Sequence, residues 1–163
     1  MFSLEITTLA RLLVDEARQR SLRIVTAESC TGGLVAGAIC MVAGASDVFE
    51  RGFVTYSNRA KQELLGVPGD LIADLGAVSE PVARIMAEGA LENSNAHLAV
   101  AITGVAGPGG GTPLKPVGTV HLATARSNQG LMHRHEMFDM ADREGIQLAA
   151  VQSALQMLRD RLT

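Results

Sequence analysis

The sequence has no Trp, one Tyr and four Phe among its 163 residues. Large flat side chains therefore cannot fill the interior, and Ala, Val, Leu and Ile must do so. Such a core is aliphatic and closely layered, as in α/β proteins. Basic excess is also missing: 14 Lys and Arg face 17 Asp and Glu. With no Lys/Arg run and no aromatics set between basic residues, a nucleic-acid footprint is not expected. No apolar stretch approaches the ~20 residues that span a bilayer, so no membrane association is expected. The opening Met1-Phe-Ser-Leu-Glu5 lacks the basic and apolar regions of a signal peptide, which places the protein in the cytoplasm. Cysteine is scarce. Cys30 and Cys40, if carried on one helix, stand ~15 Å apart, whereas a disulfide needs Cα atoms within about 7 Å. Free thiols in a reducing compartment are the expectation.

The length fits one domain, residues 1–163, which buries roughly 70% of its unfolded surface. Leu9, Leu12, Leu13 and Ala17 share a helical face, giving an amphipathic helix to about Arg20. Leu22–Ala27 reads as a strand, Gly32–Met41 as a small-residue helix and Ala43–Asp47 as a turn. Val48–Ser57 reads as a strand, followed by a helix over Asn58–Leu65 that Gly66 closes, and a further turn or two over Pro68–Leu75. A longer helix runs from Glu80 to about Glu92, with Ser79 as N-cap and Pro81 in the first turn. His97–Thr103 is a near-continuous apolar run, the pattern of a central strand covered on both faces. Val117–Thr124 and Leu131–Phe138 are strands joined by the short turn Ser127–Gly130, hence an antiparallel hairpin. A final helix carries Leu148, Val151, Leu155, Leu158 and Leu162 on one stripe. Together these predict a three-layer α/β/α sandwich around a five-stranded mixed, mostly parallel sheet.

Ligands of open α/β sheets bind beyond the carboxyl ends of parallel strands. Three such ends carry polar residues: Glu28-Ser29, Tyr56 and Thr103-Gly104. Ser29 falls at the expected start of a helix. It is read either as an N-cap or as a nucleophile, with the N–H groups of Thr31, Gly32 and Gly33 holding an oxyanion. A nucleophilic serine needs a base. No Gly-x-Ser-x-Gly elbow is present, and all four histidines are remote from Ser29 in sequence. Lys61, just after Tyr56, is the alternative: a desolvated lysine that has lost its proton, or a solvated surface lysine. The loop Gly104-Val-Ala-Gly-Pro-Gly-Gly-Gly111 offers successive N–H groups to an anion or is a connection only; it is neither a P-loop nor a dinucleotide fingerprint. Arg143 is either a bidentate anion partner or a surface charge. His133 and His135 share a strand face at metal-ligand spacing, but no third ligand is evident in sequence, and no metal is expected. Cys30, next to Ser29, is read either as a nucleophile or, in preference, as a small buried apolar group.

Five segments also occur in the order and spacing of one family: Ala27-Glu-Ser-Cys-Thr-Gly-Gly33; Tyr56-Ser-Asn-Arg-Ala-Lys61 with Leu65-Gly-Val67; Gly76-Ala-Val-Ser79; Thr103-Gly-Val-Ala-Gly-Pro-Gly-Gly110; and Lys115-Pro-Val-Gly-Thr-Val120. Over nearly its whole length the sequence resembles the C-terminal domain of the competence/damage-inducible CinA proteins, which also occurs alone as nicotinamide-nucleotide amidase of the PncC type. The resemblance implies hydrolysis of the carboxamide of nicotinamide mononucleotide to nicotinic acid mononucleotide and ammonia, returning pyridine nucleotide to NAD synthesis. It implies no cofactor and no metal, catalytic roles for Ser29, Tyr56 and Lys61, and Thr103 and Arg143 near the substrate. Gly104, Gly107 and Gly109 join Thr31, Gly32, Gly33, Thr103 and Arg143 as candidate substrate-binding residues. The pyrophosphatase domain that precedes this one in longer members is not in the sequence, so that activity is not expected. A homodimer or higher homo-oligomer is expected. Two positions depart from the family pattern: Ala141 stands where Gly is frequent, and Gln147 where a second Arg usually follows Arg143. These imply a phosphate contact that is weaker or made differently. Two other readings remain, a nucleotide-sensing or partner-binding domain without turnover, and a metal hydrolase using His133 and His135.

Overall fold

The computed structural model describes residues 1–140 and 142–163, so the Ala141 departure lies outside the described residues. The first helix, α1 (Leu4–Gln19), leads into strand β1 (Ile24–Glu28) and the short helix α2 (Leu34–Cys40). A 3-10 turn over Ala45–Asp47 precedes β2 (Phe49–Val54). Helices α3 (Asn58–Leu65), α4 (Gly69–Leu75) and α5 (Glu80–Glu92) follow in succession. Strands β3 (Leu98–Gly104), β4 (Thr119–Arg126) and β5 (Gly130–Met137) come next, and helix α6 (Arg143–Asp160) closes the fold.

The strand order is β2-β1-β3-β4-β5. β1 pairs parallel with β2 and β3, while β4 pairs antiparallel with β3 and β5. The sheet is mixed as expected, but its pairings divide evenly instead of being mostly parallel. The tight β4–β5 turn forces the last pairing to be antiparallel, and the chain crosses from β3 to β4 without a helix.

Side-chain alternation sorts the layers. Leu98, Val100 and Ile102 of β3 face α1, α2 and α6, and Ala99 and Ala101 face α5. The α5 face is built largely of alanine: Ala27, Ala99, Ala101, Ala123 and Ala125 on the strands meet Ala83, Ala87 and Ala90 on the helix. A core without Trp thus becomes a core of close approaches, in which any added methylene would force a shift. Caps set the helix ends. Ser3 accepts from the Ile6 amide, Ser57 from Ala60 and Asp142 from Gly145. Ser79 stands at the N-cap position of α5, but its hydroxyl donates to the Gly76 carbonyl instead of accepting from the helix. Among the described residues, no helix is long and apolar enough to cross a membrane.

Candidate active site

The carboxyl ends of β1, β2 and β3 converge on one cleft of about 290 Å³, near the small end of ligand sites, which run from about 300 to 1,000 Å³. Ser29, Tyr56, Lys61, Thr103, Gly104 and Arg143 all line it, with Gly107 and Gly109 at its rim loop. Thr31, Gly32 and Gly33 do not.

The Glu28 carboxylate explains that difference. Glu28 is fully buried, and its oxygens accept from the Thr31 hydroxyl at 2.7 Å, the Val35 amide at 2.9 Å and the Ala36 amide at 3.0 Å. The positive end of α2 is therefore occupied from within the protein. Neither Ser29 nor Thr31 is an N-cap, since α2 starts only at Leu34. Gly32 and Gly33 have φ of +56° and +99°. Glycine suits both positions because the chain turns through left-handed backbone between strand and helix. Gly104 owes its place to crowding instead. A Cβ there would lie 2.7 Å from a Val120 methyl and 3.1 Å from the Cys30 sulfur.

Lys61 is 1% exposed. Its position follows from α3, whose Ser57 cap fixes the helix entry and points the fourth helical residue back under β1 and β2. The Nζ atom lies 2.9 Å from Ser29 Oγ, 2.7 Å from the Thr55 carbonyl and 3.4 Å from the Tyr56 carbonyl. Both carbonyls only accept. A neutral amine has two N–H donors and one lone pair, so it can donate to the two carbonyls and keep its lone pair for the Ser29 hydroxyl proton. Burial pushes the Lys61 ammonium below the ordinary lysine range, and among the described residues no carboxylate forms a salt bridge with it. Ser29 is itself anchored, its amide donating to the Ile102 carbonyl at 3.0 Å.

The Tyr56 phenol forms no hydrogen bond with Ser29 or Lys61 among the described residues. It is half exposed and accepts from Arg143 Nη2, while Arg143 Nη1 donates to the Gly107 carbonyl at 2.6 Å. Thr103 donates its hydroxyl to the Ala77 carbonyl at 2.9 Å, tying the end of β3 to the segment before α5. The Cys30 thiol is buried, and that burial pushes it up to about 12. It stays protonated beside the serine and is no competing nucleophile. Cys30 and Cys40 are both free thiols.

The sequence reading took Gln147 only as a departure from the family's second arginine, without its contact to Cys30, and missed His121. Gln147 donates to the Cys30 carbonyl at 2.9 Å. His121, one strand away from His133 and His135, completes a stacked trio. His121 Nδ1 lies 2.9 Å from His133 Nε2, and the His121 and His135 rings stack with centroids 4.4 Å apart. The signal for His121 was its period-two position on β4, which pairs it with His135 across the hairpin. The rings bond and stack with one another instead of converging on a common point, and among the described residues no group of three His, Cys, Asp or Glu is placed to hold a metal ion.

A family model described as the CinA C-terminal domain matches residues 6–162. A CinA-like protein of Akkermansia muciniphila is 52% identical over 153 residues, covering 94% of this chain and 37% of its own length. A CinA-like protein of Syntrophus aciditrophicus is 45% identical over 159 residues, covering 98% of this chain and 38% of its own. The chain therefore spans little more than a third of these relatives. Among solved structures, the competence/damage inducible protein CihA from Agrobacterium tumefaciens superposes with a TM-score of 0.96 at 48% identity, covering 98% of this chain and 97% of that one. A CinA superfamily protein from Klebsiella pneumoniae gives 0.91 at 35% identity, over 96% and 97%.

Proposed function

The chain belongs to the CinA C-terminal domain family, and from that premise we propose that it is an amidohydrolase that converts nicotinamide mononucleotide to nicotinic acid mononucleotide and ammonia. The observation that carries the proposal is the buried 2.9 Å contact between Lys61 Nζ and Ser29 Oγ. A solvated lysine would have no reason to lie there, and a structural one would bring a carboxylate partner.

Neutral Lys61 takes the Ser29 proton as Oγ attacks the carboxamide carbon. The oxyanion so formed needs N–H donors. Those of Val35 and Ala36 in α2 are committed to Glu28, but the amides of Cys30 and Ala106, which line the cleft, have no backbone acceptor among the described residues. The amide of the residue after the nucleophile is a common oxyanion donor. The Lys61 ammonium then returns its proton to the departing nitrogen, and ammonia leaves. Water adds to the acyl-enzyme with Lys61 again as base, and collapse of the second tetrahedral intermediate frees the acid and restores Ser29. Tyr56 steers the lysine through its backbone carbonyl. Its phenol, with Arg143 and the loop at Gly107 and Gly109, faces the ribose and phosphate. The reaction as drawn uses no cofactor.

The test is ammonia release from nicotinamide mononucleotide by wild type, Ser29→Ala and Lys61→Ala. Each variant should lose about 10³-fold or more in kcat. Binding of the mononucleotide with no ammonia from wild type would favour the sensing-domain reading.

A further inference from the structure

Helix α6 holds the cleft together from outside the strands. Arg143 and Gln147 lie one helical turn apart and share a face. Arg143 reaches the β2 and β3 ends through Tyr56 and Gly107, and Gln147 reaches the β1 end through the Cys30 carbonyl. The backbone around Ser29 shows what that last bond does. The Ser29 amide is held by the Ile102 carbonyl of β3, and the Ser29 carbonyl accepts from Gly32. The Cys30 carbonyl has no backbone partner among the described residues, and Gln147 Nε2 is its donor. The peptide that joins Ser29 to Cys30, and carries the Cys30 amide, is thus flanked by a peptide held to β3 and a peptide held to α6. Gln147 is 117 positions from Cys30 in sequence, so only tertiary packing brings this donor in.

We propose that Gln147 is a positioning residue for the reaction. By holding the Cys30 carbonyl it sets the orientation of the Cys30 amide as oxyanion donor and the seat of Ser29 Oγ against Lys61. This rests on the Ser29–Lys61 reading given above. It also gives the residue that stands in place of the family's second arginine a backbone-directed role that requires no contact with substrate. A side chain in this role controls the chemical step and leaves substrate binding nearly unchanged, because misplacement of a reacting group by about 1 Å costs about a hundredfold in rate.

The test compares Gln147→Leu, Gln147→Glu and Gln147→Arg with wild type by two readouts. One is kcat and KM for ammonia release. The other is the rate at which phenylmethanesulfonyl fluoride sulfonylates Ser29, with fluoride leaving and the proton passing to Lys61, which needs no nucleotide. Gln147→Leu should slow both kcat and sulfonylation about tenfold, the value of one lost hydrogen bond, with KM within about threefold. Gln147→Glu sets a carboxylate against the carbonyl and should slow both by about a hundredfold. Gln147→Arg keeps a donor and should recover to within about threefold of wild type. Wild-type rates in the Leu and Glu variants, or an Arg variant as slow as Leu, would overturn the proposal. So would a slowing that vanishes well below the variants' melting temperatures, which would assign Gln147 to stability alone. If Glu does not fold, Leu and Arg decide. Should no form release ammonia while sulfonylation keeps the stated order, the substrate assignment fails and the positioning role stands.

Discussion

Two polar clusters sit one strand apart on the same face of the sheet. Lys61 meets Ser29 at the end of β1, and three histidines meet one another on β4 and β5, where His121 stands in register with Thr103 of the cleft. Lys61 is withdrawn from water, His121 and His133 are partly so, and His135 is exposed. The two clusters differ in what their partners leave over. Around Lys61 every contact but one is a fixed acceptor, so one lone pair remains, aimed at a hydroxyl that opens on a cleft. Between His121 and His133 one ring nitrogen satisfies another, Glu80 lies 3.5 Å from His133, and His135 only stacks on His121. A base whose lone pair is already engaged by a second base has none left for a substrate. Density of titratable groups is thus a poor guide to chemistry, and an unmatched valence beside a cavity is a better one.

The sharpest way to break this contrast is Lys61→Arg. A guanidinium keeps charge and donors but cannot lose its proton near neutral pH. Ammonia release should fall by about 10³-fold or more while circular dichroism stays native. Retained activity would mean that Lys61 serves only as a cation. The pH profile comes next. Because burial lowers the Lys61 pKa, kcat/KM should rise with pH as the ammonium empties, with its midpoint below the ordinary lysine value of about 10.4. A limb at or above that value would contradict a desolvated base. Arg143→Ala should act mainly on KM, by about tenfold to a hundredfold, if Arg143 holds the substrate phosphate as proposed; steady-state kinetics separates this from an effect on kcat.

The smallest effect belongs to the histidines. Burial, together with His135, His133 and Lys115, pushes His121 down to about 4, with Glu80 opposing, and burial lowers His133 beside Glu80 and Arg84. The unfolded chain therefore binds protons that the folded one refuses between about pH 6.5 and pH 4. Stability should be intact above pH 6.5 and decline as pH falls through that window. His121→Asn should flatten the dependence of melting temperature on pH there and leave kcat within about twofold at pH 8. A large loss of turnover would place the trio in the chemistry and dissolve the contrast.

Local signals were legible in the sequence where one short segment decides the outcome. Helix α3 runs from Asn58 to Leu65 as read, because Ser57 caps it and Gly66 ends it in left-handed backbone. The convergence of Ser29, Tyr56, Lys61 and Thr103 was legible too, since parallel strands deliver their ends to one edge. What escaped were decisions made at a distance. Nothing in Glu28 announces that it will occupy the start of α2, nor in Gln147 that it will meet Cys30. The helix-free passage from β3 to β4 was legible as the glycine-rich loop, but the strand order was not, and with it the even split of parallel and antiparallel pairings.

The α6 clamp also has a consequence for the time at which the protein becomes able to act. A ribosome extrudes β1, α3 and β3 first, with the serine and lysine already in their own segments. The helix that holds their three loops follows only after the β4–β5 hairpin. During synthesis Ser29 and Lys61 thus wait on α6 to dock, so a nascent chain that has not yet reached α6 carries both side chains without the helix that ties their loops together.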